Sequence, residues 1–180
     1  MDRSLVRISK YLAKYLRHEP EAIGLTLQPG GWVRVDDLLA ATRRHGFAIS
    51  YDELIECVDK NDKRRFSFDG TGDLIRANQG HSVEVDLQLE EQAPPEVLYH
   101  GTVERFLASI QALGLIKGSR HHVHLSADIE TARKVGSRRG RPLVLEVSAG
   151  AMTQAGHPFF VSANGVWLTD AVPPQFLRLL

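Results

Sequence analysis

The sequence predicts an α+β protein in two lobes, helix-rich at the N-terminus and β-rich towards the C-terminus. Three observations predict it. Apolar residues recur at helical spacing three times before residue 61. Turn chemistry then separates two short alternating runs into a hairpin. Past the acidic, proline-containing stretch Glu90-Glu91-Gln92-Ala93-Pro94-Pro95, the pattern changes to short β runs punctuated by glycine. The expected lobes are therefore residues 1–92 and 93–180.

In the first lobe, Leu5, Ile8, Leu12, Tyr15 and Leu16 predict a helix, with Ser4 as its N-cap. Pro20 turns Glu19 away from helical geometry, so the helix should stop near Arg17-His18. Gly30-Gly31 predicts a turn and Trp32-Val33-Arg34-Val35 a strand. Asp36 is the expected cap of a second helix ending near Gly46. Ser50 and Glu53 form a capping box for a third helix through about Lys60. Arg65-Phe66-Ser67-Phe68, Asp69-Gly70-Thr71-Gly72 and Leu74-Ile75-Arg76-Ala77 read as strand, turn, strand. Three helices and a hairpin follow the order of a winged helix.

In the second lobe, Val97-Leu98-Tyr99-His100 is strand-like, and Thr102 is the expected cap of a helix ending at Gly114. Val123-His124-Leu125 predicts a strand, with Ser126 capping a helix that stops near Gly136. Leu143–Val147 is the clearest buried strand. Phe159-Phe160-Val161 and Val166-Trp167-Leu168 predict a closing pair joined through Asn164-Gly165.

Charge excludes a broad polyanion field: the chain carries 22 Lys+Arg and 22 Asp+Glu. The first 92 residues hold 13 basic and 16 acidic side chains, the remainder 9 and 6. Any polyanion must be held by placed cations. Cys57 is the only cysteine, which excludes an intrachain disulfide; its apolar helical setting predicts a buried small hydrophobe. No run is apolar enough to span a bilayer, and the N-terminus lacks a signal peptide's apolar core, so a soluble cytoplasmic monomer is the expectation.

Basic clusters stand out at Arg17-His18, Lys63-Arg64-Arg65 and Arg138-Arg139 with Arg141. Arginine forks match phosphate oxygens, and histidine titrates near neutrality. A cation in a helix's last turn also has an ordinary capping role. Strand alternation would send Arg64 and Arg65 to opposite faces, leaving one for a focused site. His100-Gly101-Thr102 is expected between a strand and a helix start, where free N–H groups suit a pyrophosphate. Ser126-Ala127-Asp128 is a second such junction. Among His121, His122 and His124 only the last two share a strand face and no third ligand has useful spacing, so no metal is expected. The dinucleotide fingerprint GxGxxG and the phosphate loop GxxxxGK[ST] are absent.

The ordered segments Leu16-Arg17-His18-Glu19-Pro20, Gly31-Trp32, Lys63-Arg64-Arg65-Phe66, Gln79-Gly80-His81-Ser82, Leu98-Tyr99-His100-Gly101-Thr102, His122-Val123-His124-Leu125-Ser126, Val135-Gly136-Ser137-Arg138 and Asn164-Gly165-Val166-Trp167-Leu168-Thr169 together resemble the RNA 2′-phosphotransferase (KptA-type) family. The resemblance implies a winged-helix RNA lobe joined to an ADP-ribosyltransferase-like lobe that binds NAD. It implies removal of an internal RNA 2′-phosphate, as on spliced tRNA, through an ADP-ribosylated RNA phosphate. The products would be 2′-OH RNA, nicotinamide and ADP-ribose 1″,2″-cyclic phosphate. The family's Arg-His-Arg-Arg set falls on Arg17, His18, Arg65 and Arg138; His100, Gly101, Thr102 and Ser126 match its NAD-side motifs.

Two rivals follow from the same residues. One is an ADP-ribosyltransferase acting on protein or a nucleic-acid terminal phosphate; the late segment 164–168 lacks the glutamate many such enzymes use. The other is a winged-helix DNA-binding regulator, but Asp52, Glu53, Glu56 and Asp59 make its recognition helix acidic, which would repel a duplex.

Overall fold

The computed structural model describes residues 3–180. The chain divides into two compact units, the first ending at Gln88 and the second covering Leu89–Leu180. Both mix helices with small antiparallel sheets, an α+β arrangement.

The first unit opens with α1 (Arg3–Arg17), whose Leu5, Ile8, Leu12 and Leu16 are buried. A strand β1 (Trp32–Arg34) leads directly into α2 (Val35–Arg44), and α3 (Tyr51–Asp59) follows. Strands β2 (Phe66–Phe68) and β3 (Leu74–Ala77) form the hairpin, and β3 sits centrally in the order β1-β3-β2. The core is built from α1, Val33, Leu38, Leu54, Cys57, Phe66 and Ile75. Burial pushes the Cys57 thiol up to about 11, so it packs as a small hydrophobe and is not a thiolate near neutral pH.

The second unit contains β4 (Leu98–Val103), α4 (Leu107–Leu113), β5 (Leu115–Ile116), β6 (Val123–Leu125), α5 (Ile129–Gly136), β7 (Pro142–Val147), α6 (Ala149–Gln154), β8 (Phe160–Val161), β9 (Trp167–Thr169), β10 (Ala171–Val172) and β11 (Leu177–Leu179). β7 is the centre of a sheet ordered β11-β7-β4, and β9 the centre of β6-β9-β8; β5 pairs with β10. A bridge between Tyr99 and Ser126 ties β4 to the end of β6. Leu98, Leu125, Leu145, Val147, Met152 and Phe159 form the core. No described helix is long and apolar enough to cross a membrane.

The capping box at Ser50 and Glu53 is present with both hydrogen bonds. Other expected caps are not. Ser4 lies inside α1, and Asp36 lies in the first turn of α2 behind Arg34, which makes no side-chain cap. Thr102 continues β4, pairing with Leu143, and a short 3-10 turn (Glu104–Phe106) precedes α4. Ser126 is held in its bridge to Tyr99, and Asp128 caps α5 by accepting the Thr131 N–H at 2.7 Å. At Thr102 and Ser126 strand or bridge pairing of the backbone claimed the residue expected to cap.

Candidate functional site

In the first unit, Arg17 ends α1, and its guanidinium lies 5.9 Å from the centre of the buried Phe66 ring. Its Nε and Nη2 are shielded from solvent. Its carbonyl oxygen accepts the Ser82 N–H at 2.9 Å, and Ser82 Oγ lies 2.8 Å from His18 Nδ1. One loop residue thus holds both members of the pair: the backbone of Arg17 and the ring of His18.

Arg65 immediately precedes Phe66. Its Nη1 donates to Asn61 Oδ1 at 3.4 Å, and the buried Asn61 donates in turn to Ser9 Oγ of α1 at 3.1 Å. The expected strand alternation of Arg64 and Arg65 is not what separates them, because both lie ahead of β2. Arg64 takes a left-handed φ of 42° in the turn and is exposed, while Arg65 is half-buried beside Phe66. Asn78 fixes the turn by donating to the Arg64 carbonyl from its side chain and to the Arg65 carbonyl from its backbone. The turn therefore leaves Arg64 exposed and holds Arg65 to Asn61.

In the second unit, His100 and Thr102 sit on one face of β4, and Gly101 on the other. The expected helix N-terminus at this segment does not exist. Gly101 faces α5 so closely that a Cβ would collide with the Ala132 carbonyl oxygen and the Gly136 backbone. Its missing side chain makes room for a helix. Thr102 is buried, and Ser126 is half-buried.

His100 Nδ1 lies 3.0 Å from the His124 carbonyl oxygen. A carbonyl only accepts, so Nδ1 carries the proton and Nε2 is the acceptor. Burial, with the charge of Arg139, pushes the His100 pKa down against the effect of that hydrogen bond, so the ring is neutral at pH 7. Arg120 contacts His124 Nδ1 at 3.4 Å through Nη1. Although Arg120 is exposed overall, protein crowds its guanidinium; that desolvation, then Arg139 and Arg138, lower its pKa. Arg138 and Arg139 occupy the 3-10 turn Ser137–Arg139 after α5, and Arg139 lies 5.8 Å from the Phe106 ring centre. Among the described residues no carboxylate pairs with Arg120, Arg138 or Arg139. One crowded guanidinium, Arg120, and two exposed ones, Arg138 and Arg139, none paired with a described carboxylate, make an anion-accepting surface.

Arg120 and Phe106 were not singled out from the sequence. Arg120 precedes β6, which is tied to β4 by the Tyr99–Ser126 bridge, and the charges of Arg138 and Arg139 reach it there. His121 and His122 precede β6, and the His122 ring packs against Phe160 at 5.5 Å. Among the described residues no three His, Cys, Asp or Glu side chains group as metal ligands.

A sequence profile of the RNA 2′-phosphotransferase, Tpt1/KptA family matches residues 3–171. A protein of Nostoc punctiforme named probable RNA 2′-phosphotransferase is 60% identical over 177 residues, covering 98% of each chain. One of the same name from Streptomyces griseus is 61% identical over 185 residues, covering 99% of this chain and 98% of its own. Another from Hahella chejuensis is 54% identical across 100% of this chain and 97% of its own. The chain belongs to the RNA 2′-phosphotransferase, Tpt1/KptA family, a family of transferases.

Proposed function

We propose that this protein removes an internal 2′-phosphate from RNA by transferring it to NAD. The unit ending at Gln88 is, in this reading, a winged-helix RNA lobe, and Leu89–Leu180 an ADP-ribosyltransferase-like lobe that takes NAD as co-substrate. A 2′-phosphate oxygen attacks C1″ of the nicotinamide ribose; the C1″–N bond breaks and nicotinamide leaves with its electron pair. Ribose O2″ then gives up its proton and attacks phosphorus. The P–O2′ bond breaks, the RNA 2′-oxygen takes a proton, and ADP-ribose 1″,2″-cyclic phosphate departs.

Arg17, His18 and Arg65 serve the RNA phosphate. The arginines orient it and spread the charge that builds on phosphorus in the second step. Ser82 sets the His18 ring for a hydrogen bond to the phosphate or for proton delivery to O2′. Arg138, the fourth member of the set that the family resemblance implies, stabilises charge in the second step. His100, Gly101, Thr102 and Ser126 belong to the NAD side, where neutral His100 offers Nε2 to a ribose hydroxyl and Gly101 acts by seating β4 on α5.

The observation that carries this reading is the cationic set Arg120, Arg138 and Arg139, unpaired with any described carboxylate, with Arg120 and His100 both meeting His124. It suits an anionic co-substrate and an acceptor that is already nucleophilic. A phosphate needs no general base, and the segment 164–168 contains no acid. The test is nicotinamide release from NAD in the presence of RNA bearing an internal 2′-phosphate, a terminal phosphate, or neither. Release with the first alone is expected. Equal release with a terminal phosphate or with protein alone would favour the rival ADP-ribosyltransferase.

A further inference from the structure

The cations of α1 recur at positions 3, 7, 10, 14 and 17. Steps of four and three residues keep them within a stripe about 80° wide on an α-helix. The buried residues Leu5, Ile8, Ser9, Leu12, Tyr15 and Leu16 occupy the opposite side. Arg3, Arg7, Lys10 and Lys14 are exposed and Arg17 is half-buried. The stripe is therefore a single file of positive charge about 21 Å long, one cation per ~5 Å of axis. Its last member belongs to the Arg17-His18 pair held by Ser82.

This is not an ordinary solvated face, which intersperses both signs. No acid occurs between Arg3 and Arg17, whereas α3 in the same unit carries Asp52, Glu53, Glu56 and Asp59. Glu19 pairs with the stripe at Lys14, 3.1 Å from its Nζ. Beside the stripe the half-buried Tyr11 stacks on Phe47 with ring centres 4.2 Å apart, and the Arg7 guanidinium lies 5.6 Å from the Phe47 centre. Tyr11 Oη also meets His45 Nδ1 at 3.0 Å. Cations in file with aromatic rings alongside are the elements that hold single-stranded nucleic acid. An anionic membrane is a poor fit, because the apolar face of α1 is already in the core and has nothing to insert.

Resting on the reading of Arg17 and His18 as phosphate-binding, we infer that the solvent face of α1 is a track for the sugar-phosphate backbone of the RNA strand beyond the reacting nucleotide. Arg3, Arg7, Lys10 and Lys14 neutralise successive phosphates and lead the strand to Arg17. The track lowers KM for longer RNA and contributes nothing to a substrate too short to reach it.

The triple variant Arg3→Gln/Arg7→Gln/Lys10→Gln tests this against an equally charge-depleted control, Lys60→Gln/Lys117→Gln/Arg178→Gln, whose cations are each paired with an acid elsewhere. Binding of a 2′-OH oligonucleotide long enough to span α1 is followed by fluorescence anisotropy across a salt series without NAD. Each backbone contact contributes about 0.7 to the slope of log affinity against log salt, so the track variant should lose about 2 and the control little. On 2′-phosphorylated substrates, the track variant should lose on the order of tenfold more kcat/KM with that oligonucleotide than with a dinucleotide. An unchanged salt slope, an equal loss in the control, or equal losses on both substrates would overturn the track. Binding that follows the prediction without any turnover by the unsubstituted protein would instead defeat the proposed reaction and leave the track standing.

Discussion

Two adjacent arginines in one turn differ in everything that matters for a site. Arg64 is exposed with left-handed backbone, and Arg65 is half-buried, tied to Asn61 and placed beside Phe66. Arg65→Ala should lower turnover at least a hundredfold, about 3 kcal/mol in barrier, and Arg64→Ala less than threefold. Equal losses in steady-state kinetics would contradict the assignment. His100 makes a separate prediction through pH. Its folded pKa is held below the ordinary 6.5 by burial and Arg139. Between those values the unfolded chain binds more protons than the folded one, so stability falls as pH drops below about 6.5. The half-buried ring of His122 is shifted the same way, mainly by desolvation, and adds to the slope. His100→Asn should flatten, without abolishing, the decline in melting temperature between pH 7 and pH 5; an unchanged profile would show that His100 does not titrate as described.

At the scale of elements, what could be read from the sequence was periodicity and what could not was competition for backbone. The three helices of the first unit, the hairpin and the β7 strand follow from apolar spacing and turn residues, which are local. Thr102 and Ser126 were expected to cap helices because they precede apolar periodic runs. Both are instead claimed by strands, Thr102 by β7 and Ser126 by its bridge to Tyr99, and those partners are distant in sequence. The short pairs β5–β10 and β7–β11 were illegible for the same reason. Half of the candidate site was legible: Arg17-His18 at a proline-terminated helix end is local, while Arg120 reaches its place only through the fold. The cap of α5 separates the two kinds of role. Asp128→Ala should cost about 1 kcal/mol in denaturant unfolding, and Ser126→Ala less than about 0.5 kcal/mol; a larger loss for Ser126 would restore it as the cap. Gly101→Ala must push β4 off α5 and should cost about 1–3 kcal/mol.

The whole molecule is two units with separate cores. The segment 89–92 belongs with the second: Glu91 bridges Phe160, and the Gln92 N–H donates to the Phe159 carbonyl at 2.8 Å. If the second unit folds alone, a fragment beginning at Leu89 should melt above one beginning at Ala93, by about 4–8 °C for each kcal/mol these contacts contribute. The proposed chemistry asks for phosphate binding in one unit and NAD binding in the other, with arginines supplying the positive charge. Turnover should accordingly survive a metal chelator, and Arg138→Ala should let the ADP-ribosylated RNA accumulate in a rapid-quench time course. The most direct measurement follows an RNA bearing one internal 2′-phosphate by mass spectrometry, with and without NAD. The account predicts NAD-dependent loss of that phosphate, with one nicotinamide and one ADP-ribose cyclic phosphate formed per RNA. Loss of the phosphate as inorganic phosphate without NAD, or an RNA left unchanged with NAD present, would contradict it.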